Sequence, residues 1–399
     1  MPKRDPKCET TIVKSPGDLR AVCAQCRAEG AFAFDTEFVM EDRYEAEVCL
    51  VQIATEHAVA IIDPFDGFDL APVWELVADP KVETIVHAGL EDLGLCVQHT
   101  SKAPRNIFDV QVAAGLVGLE YPLSLQRLVQ AILSVRLHKS KTLTDWRKRP
   151  LGDAQLRYAV EDVLHLPAVR RVLVKHLEQR NRLDWIREEC ARFEDILLYR
   201  RADEEKLRRL KGAGSLGGRQ LAILHSLMAW RDELAQVVNR PVRTVVKDHL
   251  LVEIARAGLA GFNDLRDLRG LNLGDKHLRS LTAVVAEARK IPEAEWPDPL
   301  PREVDSPTET ALVELAGAVV RDYCLSNDIA YSLATNKRSI RSLVRHHTEK
   351  GRKGEDGGEL LRGWRGETVG RLAGDVLNGR KSIRVEKTRD RLALRVTPN

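Results

Sequence analysis

Alternating apolar and polar residues mark the first strand of the chain that carries candidate chemistry. Residues 32–38 alternate in this way, and a β-strand places every second side chain on one face, so Asp35 and Glu37 are predicted to share a face. Further along, a strand-like apolar run leads directly into a helical pattern over residues 90–99, which places Asp92 near the start of a helix. Acidic side chains are therefore predicted on two separate elements.

A further acidic position lies on a predicted helix. Residues 152–166 have apolar positions at helical spacing, and Tyr158 and Asp162, at i and i+4, would stack on one side of that helix. Carboxylates that converge from separate elements repel one another and cost stability unless cations neutralise them. Oxygen ligands of this kind suit hard divalent cations. The four acids together predict a site for divalent metal ions.

Each of these residues also has a simpler interpretation. An isolated Asp-Thr-Glu after apolar residues is more often a strand end or a helix cap than a metal site. Glu91 competes with Asp92, since both lie at the start of the predicted helix, where an anion also offsets the helix dipole. His87 is left out of the metal set because oxygen-coordinated magnesium rarely takes imidazole. Tyr158 could be a buried helix tyrosine without a role in chemistry.

Several strings occur in a fixed order between residues 32 and 166. They are FAFDTEFVMEDRYEAEVCLVQIA, VHAGLEDL, NIFDVQVAAGLVG, HKSKTLTDWRKRPL and LRYAVEDVLHL. In this order they resemble the DEDD family of 3′→5′ exonucleases, in its tyrosine-bearing branch, and most closely the ribonuclease D group. The related branch has a histidine five residues before the last aspartate, where this chain has Arg157, so Tyr158 fits the tyrosine branch. A bare Asp-Thr-Glu is common, and the ordered set makes the resemblance specific.

The resemblance implies an α/β RNase H-like exonuclease domain, a mixed sheet flanked by helices, that uses two Mg²⁺ or Mn²⁺ ions and no small-molecule cofactor. It implies that Asp35 bridges the ions, that Glu37 and Asp162 complete the site near the attacking water, and that Asp92 supports the second ion. Two ions about 3.5 to 4 Å apart can activate water and stabilise the leaving 3′-oxygen. Because a phenol with a pKa of about 10 is a poor base at neutral pH, Tyr158 would orient the water. The product would be a nucleoside 5′-monophosphate.

The net charge of the 399-residue chain is only +3, so affinity for RNA has to come from local groups of cations. One such group is the string HKSKTLTDWRKRP, which begins at His138 and lies shortly before the helix of Tyr158. The cations predicted to bind substrate phosphates are Lys139, Lys141, Arg147, Lys148 and Arg149. A solvated surface loop is the alternative for any one of them. Trp146, in the same string, is predicted to anchor the loop in the core more than to stack on a base.

The chain changes character after the nuclease motifs. Residues 183–210 predict a charged helical connector, and apolar residues at helical spacing beyond it predict all-α structure. The strings WRDELA, RPVRTVVKDHLL and RGL resemble the HRDC domain, and the resemblance implies a second small all-α HRDC-like domain after it. The predicted boundaries are 1–205 for the exonuclease, 213–296 for the HRDC domain, 305–382 for the second HRDC-like domain and 383–399 for a C-terminal hairpin.

Composition narrows the class of protein. No apolar run approaches the roughly 18 residues of a membrane span. The seven scattered cysteines fit reduced thiols, and Cys23 and Cys26 lie in a predicted helix with no second ligand pair for zinc. We therefore expect a cytoplasmic protein without a membrane partner, and the resemblance implies that it is a 3′→5′ exoribonuclease. The resemblance implies 3′-end trimming of transfer RNA precursors and other structured RNAs. A DNA 3′→5′ exonuclease and an RNA-binding scaffold with a decayed nuclease are the alternatives.

Overall fold

A six-stranded mixed sheet forms the base of the nuclease region. The computed structural model describes residues 9–67, 69–138, 145–199, 210–298, 306–348, 358–387 and 392–399. The strands, labelled β1 to β6, are Glu9–Val13, Ala31–Val39, Glu47–Ala54, Ala58–Ile62, Glu83–Val86 and Ile107–Asp109. Their spatial order is β1-β4-β3-β2-β5-β6. Strand β4 is parallel to β1 and antiparallel to β3, and β5 is parallel to β2 and β6.

Strand β2 lies inside this sheet and carries the first acidic motif. Phe32, Ala33 and Phe34 are all buried in succession, a pattern typical of a strand covered on both faces. Asp35 and Glu37, nearer its carboxyl end, are only half-buried. The predicted strand over residues 32–38 is therefore confirmed, and its carboxyl end brings the two acids towards solvent.

Nine helices of the described ranges precede residue 200. Labelled α1 to α9, they are Pro16–Glu29, Ala71–Val77, Leu90–Thr100, Val110–Leu116, Leu125–Leu133, Asp153–Leu164, Leu166–Gln179, Leu183–Ala191 and Ile196–Tyr199. The helix predicted over residues 152–166 is α6, and α7 begins directly after it. The predicted charged connector is interrupted, because α8 is followed by a short 3-10 turn and the backbone is extended at Asp195.

The chain divides into two compact units, of which the second comprises residues 37–49 and 196–304. Its longer segment holds helices α10 to α14, which are Gly218–Val237, Val242–Val245, Asp248–Ala257, Phe262–Arg266 and Asp275–Ala288. Leucines from α10, α12 and α14, among them Leu224, Leu251 and Leu281, are fully buried in a core of their own. Within this unit the Tyr44 hydroxyl donates to Asp232 Oδ2 at 2.9 Å, which ties the shorter segment to α10.

The first unit comprises residues 1–36, 50–195 and 305–399, and so includes the C-terminal helices. Helices α15 to α19 are Pro307–Ser326, Tyr331–Ala334, Lys337–Thr348, Gly363–Arg365 and Arg371–Leu377, with a π-helical turn at Gly366–Gly370 before the last. Strands β7, Lys381–Lys387, and β8, Leu392–Pro398, then pair antiparallel. The hydrophobic core of this unit runs without a break from the sheet into α15, α17 and α19.

Buried polar contacts reinforce that shared core. Glu189 on α8 and Arg365 on α18 form a buried ion pair, with Arg365 Nη2 3.1 Å from Glu189 Oε2. The Trp364 indole N–H donates to Glu189 Oε1 at 2.7 Å, and the Trp364 ring stacks on Trp185 with centroids 4.7 Å apart. Arg182 donates to the carbonyl oxygens of Leu116 at 2.6 Å and of Asp328 at 2.9 Å. The C-terminal helices are therefore part of the same folded body as the sheet.

The six cysteines in the described ranges are free thiols, and all of them are buried. Cys23 and Cys26 belong to this group, and burial is the main cause that raises the pKa of both thiols, that of Cys26 to about 12. No helix in the described part of the chain is long and apolar enough to span a membrane.

Candidate active site

Three predicted acids meet at the carboxyl end of β2. One carboxylate oxygen from each of Asp35, Glu37 and Asp162 lies within 4.8 Å of the other two. The first two side chains leave β2 on the same face because they are two residues apart, and the third comes from α6. Sequence positions more than 120 apart thus form one cluster of oxygen donors.

Asp92 lies beside this cluster, in the first turn of α3. Its Oδ1 accepts hydrogen bonds from the backbone N–H of Thr36 at 3.1 Å and from the Thr36 hydroxyl. Thr36 stands between the two acids of β2, so these bonds hold Asp92 against the motif strand. Burial raises the pKa of Asp92, and the bonds from Thr36 act in the opposite direction. Glu91 is exposed, which favours Asp92 as the acid that belongs to the site.

Asp109 positions the turn that leads to Asp92, and sequence reasoning missed it. Its carboxylate accepts from the backbone N–H groups of Ala88 at 3.2 Å and Gly89 at 3.3 Å, and it caps α4 through Gln111 N at 2.8 Å. A Cβ on Gly89 would lie 2.5 Å from the Cβ of Val86, so only glycine fits this turn. The available sequence signal was an aspartate at a strand end just before a helix, which is a typical N-cap.

His87 contacts the backbone of the segment just before α5. Its Nε2 lies 2.8 Å from the carbonyl oxygen of Leu123, which the imidazole can bond as an N–H donor. The neighbouring Gln111 amide donates to the same carbonyl oxygen at 3.1 Å. His87 therefore has a structural partner in this turn.

Tyr158 and Asp162 lie on the same side of α6, as their spacing predicted. Burial raises the pKa of Asp162 to about 7, and the negative charges of Glu161 and Asp92 raise it as well. The Tyr158 hydroxyl bonds to the Asp162 carboxylate and acts in the opposite direction. Asp162 therefore stands in a place where its own negative charge is costly, which is the electrostatic condition that a bound cation relieves.

The donor set fits a hard divalent cation. Carboxylate oxygens are the ligands that Mg²⁺ and Mn²⁺ take up most readily. The clustered acids are half-buried, so they are open enough to exchange an ion with solvent. A cation among them would offset both the burial and the mutual repulsion that raise the pKa of Asp162.

The structure describes three of the five predicted phosphate-binding cations. Lys139 and Lys141 lie outside the described residues. His138, just before them, is exposed and contacts Glu161, with its backbone N–H donating to Glu161 Oε2 at 2.9 Å. Lys148 is exposed and Arg147 is half-buried.

Arg149 forms an ion pair with Asp63. Its Nη2 is 2.7 Å from Asp63 Oδ1. Trp146, close by, packs against the hydrophobic core, as the sequence predicted.

Two family models match the chain. One, described as 3′-5′ exonuclease, matches residues 10–178, which contain the candidate metal ligands Asp35, Glu37, Asp92 and Asp162 and all six strands except for Glu9. The other, the HRDC domain, matches residues 220–282 in the second unit. The fold and the cluster of acids thus define the class of protein, a 3′→5′ exonuclease with an HRDC domain.

Relatives identify the family within that class. The chain is 32% identical over 385 residues to the Ribonuclease D of Gluconacetobacter diazotrophicus, which covers 96% of each chain. It is 34% identical over 382 residues to that of Acidiphilium cryptum, covering 94% of this chain and 95% of the other. The crystal structure of Escherichia coli RNase D superposes with a TM-score of 0.79 at 28% identity, covering 93% of this chain and 99% of that one.

The chain therefore belongs to the ribonuclease D family, and its activity is that of a 3′→5′ exoribonuclease. The predictions of family, fold class and activity are confirmed. The site roles of individual residues, the predicted domain boundaries and the number of HRDC domains stay predictions.

Proposed function

We propose that this exoribonuclease trims the 3′ ends of structured RNAs, with transfer RNA precursors among its substrates, and that it does so with two Mg²⁺ or Mn²⁺ ions. The observation that carries the metal assignment is the meeting of Asp35, Glu37 and Asp162, each with an oxygen within 4.8 Å of the others. The relative from Escherichia coli is described as an exoribonuclease involved in structured RNA processing, which supports the class of substrate.

In this proposal Asp35, Glu37, Asp92 and Asp162 hold the metal. Bound divalent ions would activate water and stabilise the charge that develops on the leaving 3′-oxygen. An oxygen of Asp35 lies within 4.8 Å of oxygens from both Glu37 and Asp162, and by the family resemblance Asp35 would be the ligand shared by two ions. Asp92, held by Thr36, would support the ion farther from the attacking water. The reaction would release a nucleoside 5′-monophosphate from each 3′ end.

Tyr158 would orient the attacking water through its hydroxyl. The hydroxyl bonds to Asp162, so the phenol and a metal ligand are fixed relative to each other. A phenol is uncharged at neutral pH and can both donate to and accept from a water molecule. Its contribution would be to position the water, and bound ions would supply the acidity.

Affinity for the RNA substrate would come from Lys and Arg side chains outside the acid cluster. Lys139, Lys141, Arg147 and Lys148 precede α6, and phosphates leading to the 3′ end would pass close to them. The HRDC domain would add contacts to the body of a structured RNA, which presents phosphates over a longer distance than one cleft can cover. The buried free thiols fit a reducing compartment, so we place the enzyme in the cytoplasm.

A transfer RNA precursor with a short 3′ extension tests this proposal. With Mg²⁺ or Mn²⁺ the enzyme should shorten the extension one nucleotide at a time and release nucleoside 5′-monophosphates. Asp35→Asn, purified in parallel, controls for contaminating nucleases. Faster hydrolysis of a DNA strand of the same sequence would favour the DNA exonuclease. RNA binding without hydrolysis in either metal would favour the scaffold with a decayed nuclease.

A further inference from the structure

One arginine fixes the segment that enters α6. Arg149 forms a two-point pair with Asp63, in which Nε is 2.5 Å from Oδ2 and Nη2 is 2.7 Å from Oδ1. Its Nη1 donates to the carbonyl oxygens of Trp146 at 2.7 Å and Lys148 at 3.1 Å. The guanidinium carbon also lies 4.6 Å from the centroid of the Phe65 ring. Every nitrogen of the guanidinium therefore has a partner, and the side chain is only 25% exposed.

Asp63 provides a rigid anchor for this arginine. It follows directly on β4, and its Oδ1 also accepts from the backbone N–H of Phe65 at 3.0 Å. Its side chain is 13% exposed. Helix α6 packs against β4, so the pair joins the segment before α6 to the strand that lies beneath the helix.

The carbonyl group that Arg149 holds belongs to Trp146, and the ring of Trp146 meets the candidate catalytic tyrosine. The ring centroids of Trp146 and Tyr158 are 6.1 Å apart, with an angle of 39° between the planes. Trp146 also packs against the hydrophobic core. The Tyr158 hydroxyl bonds to the Asp162 carboxylate. Contacts therefore run continuously from Asp63 to the metal-binding acids.

We propose that Arg149 and Asp63 form a clamp that positions Tyr158, by holding Trp146 against its ring. Both are positioning residues in this reaction and contact neither the substrate nor the metal. The inference rests on the proposed role of Tyr158. It replaces the phosphate contact that the sequence suggested for Arg149, because Asp63 neutralises the guanidinium and takes up its paired N–H donors.

Conservative substitution separates a clamp from a phosphate contact. An ammonium group cannot form the two-point pair with Asp63, so Arg149→Lys and Arg149→Gln should both lower kcat by roughly 10- to 100-fold, the effect of a small misplacement near the chemistry. KM for RNA and the salt dependence of binding should stay unchanged. A phosphate contact would behave differently: lysine would preserve binding, and glutamine would reduce the salt slope by about one. That second pattern would overturn the clamp.

Two further variants separate the loss of the Arg149–Asp63 pair from the loss of a positive charge. Asp63→Asn removes the other half of the clamp and should reproduce the kcat defect of Arg149→Lys, and normal turnover in this variant would contradict the proposal. Arg20→Gln removes the same charge from an exposed position on α1. It is expected to leave kcat unchanged. Melting temperatures of all variants establish that each is folded.

A double-mutant cycle with Tyr158→Phe tests whether the clamp acts through the tyrosine. Tyr158→Phe alone should lower kcat by roughly 10- to 1000-fold. In that background Arg149→Lys should cost less than about threefold more, because the group it positions is already gone. Full additivity would overturn the clamp while leaving the role of Tyr158 intact. Normal turnover by Tyr158→Phe alone would refute the role of Tyr158, and with it the clamp.

Discussion

Asp162→Asn should flatten the dependence of stability on pH in the metal-free protein. Asparagine keeps the shape of the side chain and still accepts the hydrogen bond of Tyr158, but it carries no charge and does not titrate. Burial raises the pKa of Asp162 from its ordinary 3.8 to about 7, so the folded protein holds this proton more tightly than the unfolded chain. The resulting stability is complete below about pH 4 and is lost as the pH rises through about 7.

The size of the effect follows from that difference in pKa. Each pH unit between the unfolded and the folded pKa is worth about 1.4 kcal/mol for one proton, so the whole contribution is at most about 4 kcal/mol. About 3 kcal/mol of it falls between pH 5 and pH 8. Burial also raises the pKa of Asp92, which the variant retains, so the variant should keep a shallower slope.

Urea unfolding in chelator, at several pH values and constant ionic strength, measures this difference. The unaltered protein should lose about 3 kcal/mol more than Asp162→Asn between pH 5 and pH 8. Adding Mg²⁺ at pH 8 should stabilise the unaltered protein more than the variant, because the ion binds only the folded state. Equal slopes would show that Asp162 is well solvated, and equal responses to Mg²⁺ would remove it from the metal site.

Three further predictions concern the architecture around the site. Glu189→Gln leaves Arg365 buried without its counter-charge and should lower the free energy of unfolding by about 3 to 5 kcal/mol in the same urea titration. The control, Glu359→Gln, removes an exposed partner of Arg192 and should cost at most about 1 kcal/mol. A chain that ends at residue 209 should be far more sensitive to protease than the full chain, since it strips the C-terminal helices from the shared core. Gly89→Ala should cost about 1 to 3 kcal/mol and lower activity, and Val86→Ala in the same chain should restore little of either, since alanine keeps the Cβ that lies 2.5 Å from the added methyl group.

Local patterns in the sequence predicted most of what surrounds the acids. Alternation identified β2 and its shared face for Asp35 and Glu37, and helical spacing placed Tyr158 beside Asp162 on α6. These features depend on residues two to four positions apart, so the sequence contains them directly. The relative placement of the acid-bearing elements came from the resemblance to a family and not from any pattern.

Contacts between distant residues were beyond such patterns. The sequence proposes Arg149 for phosphate binding, and nothing near it in sequence indicates its partner Asp63, which lies 86 positions away. The ion pair of Glu189 and Arg365 spans 176 positions and joins helices that the sequence suggested were separate domains. A charged residue in a helix is usually solvated, so its burial follows only from tertiary packing.

The central claim is that Asp35 and Asp92 belong to one metal-dependent catalytic site. The most direct test is the rate at which Asp35→Asn and Asp92→Asn release the 3′-terminal nucleotide of a labelled RNA with Mg²⁺, beside Glu91→Gln as the matched control at an exposed neighbouring acid. We predict that both asparagine variants fold normally and lose about 1000-fold or more in rate, corresponding to about 4 kcal/mol of transition-state stabilisation, while Glu91→Gln keeps its activity. Near-normal hydrolysis by a folded Asp35→Asn variant, or by the unaltered protein in excess chelator, would contradict the account.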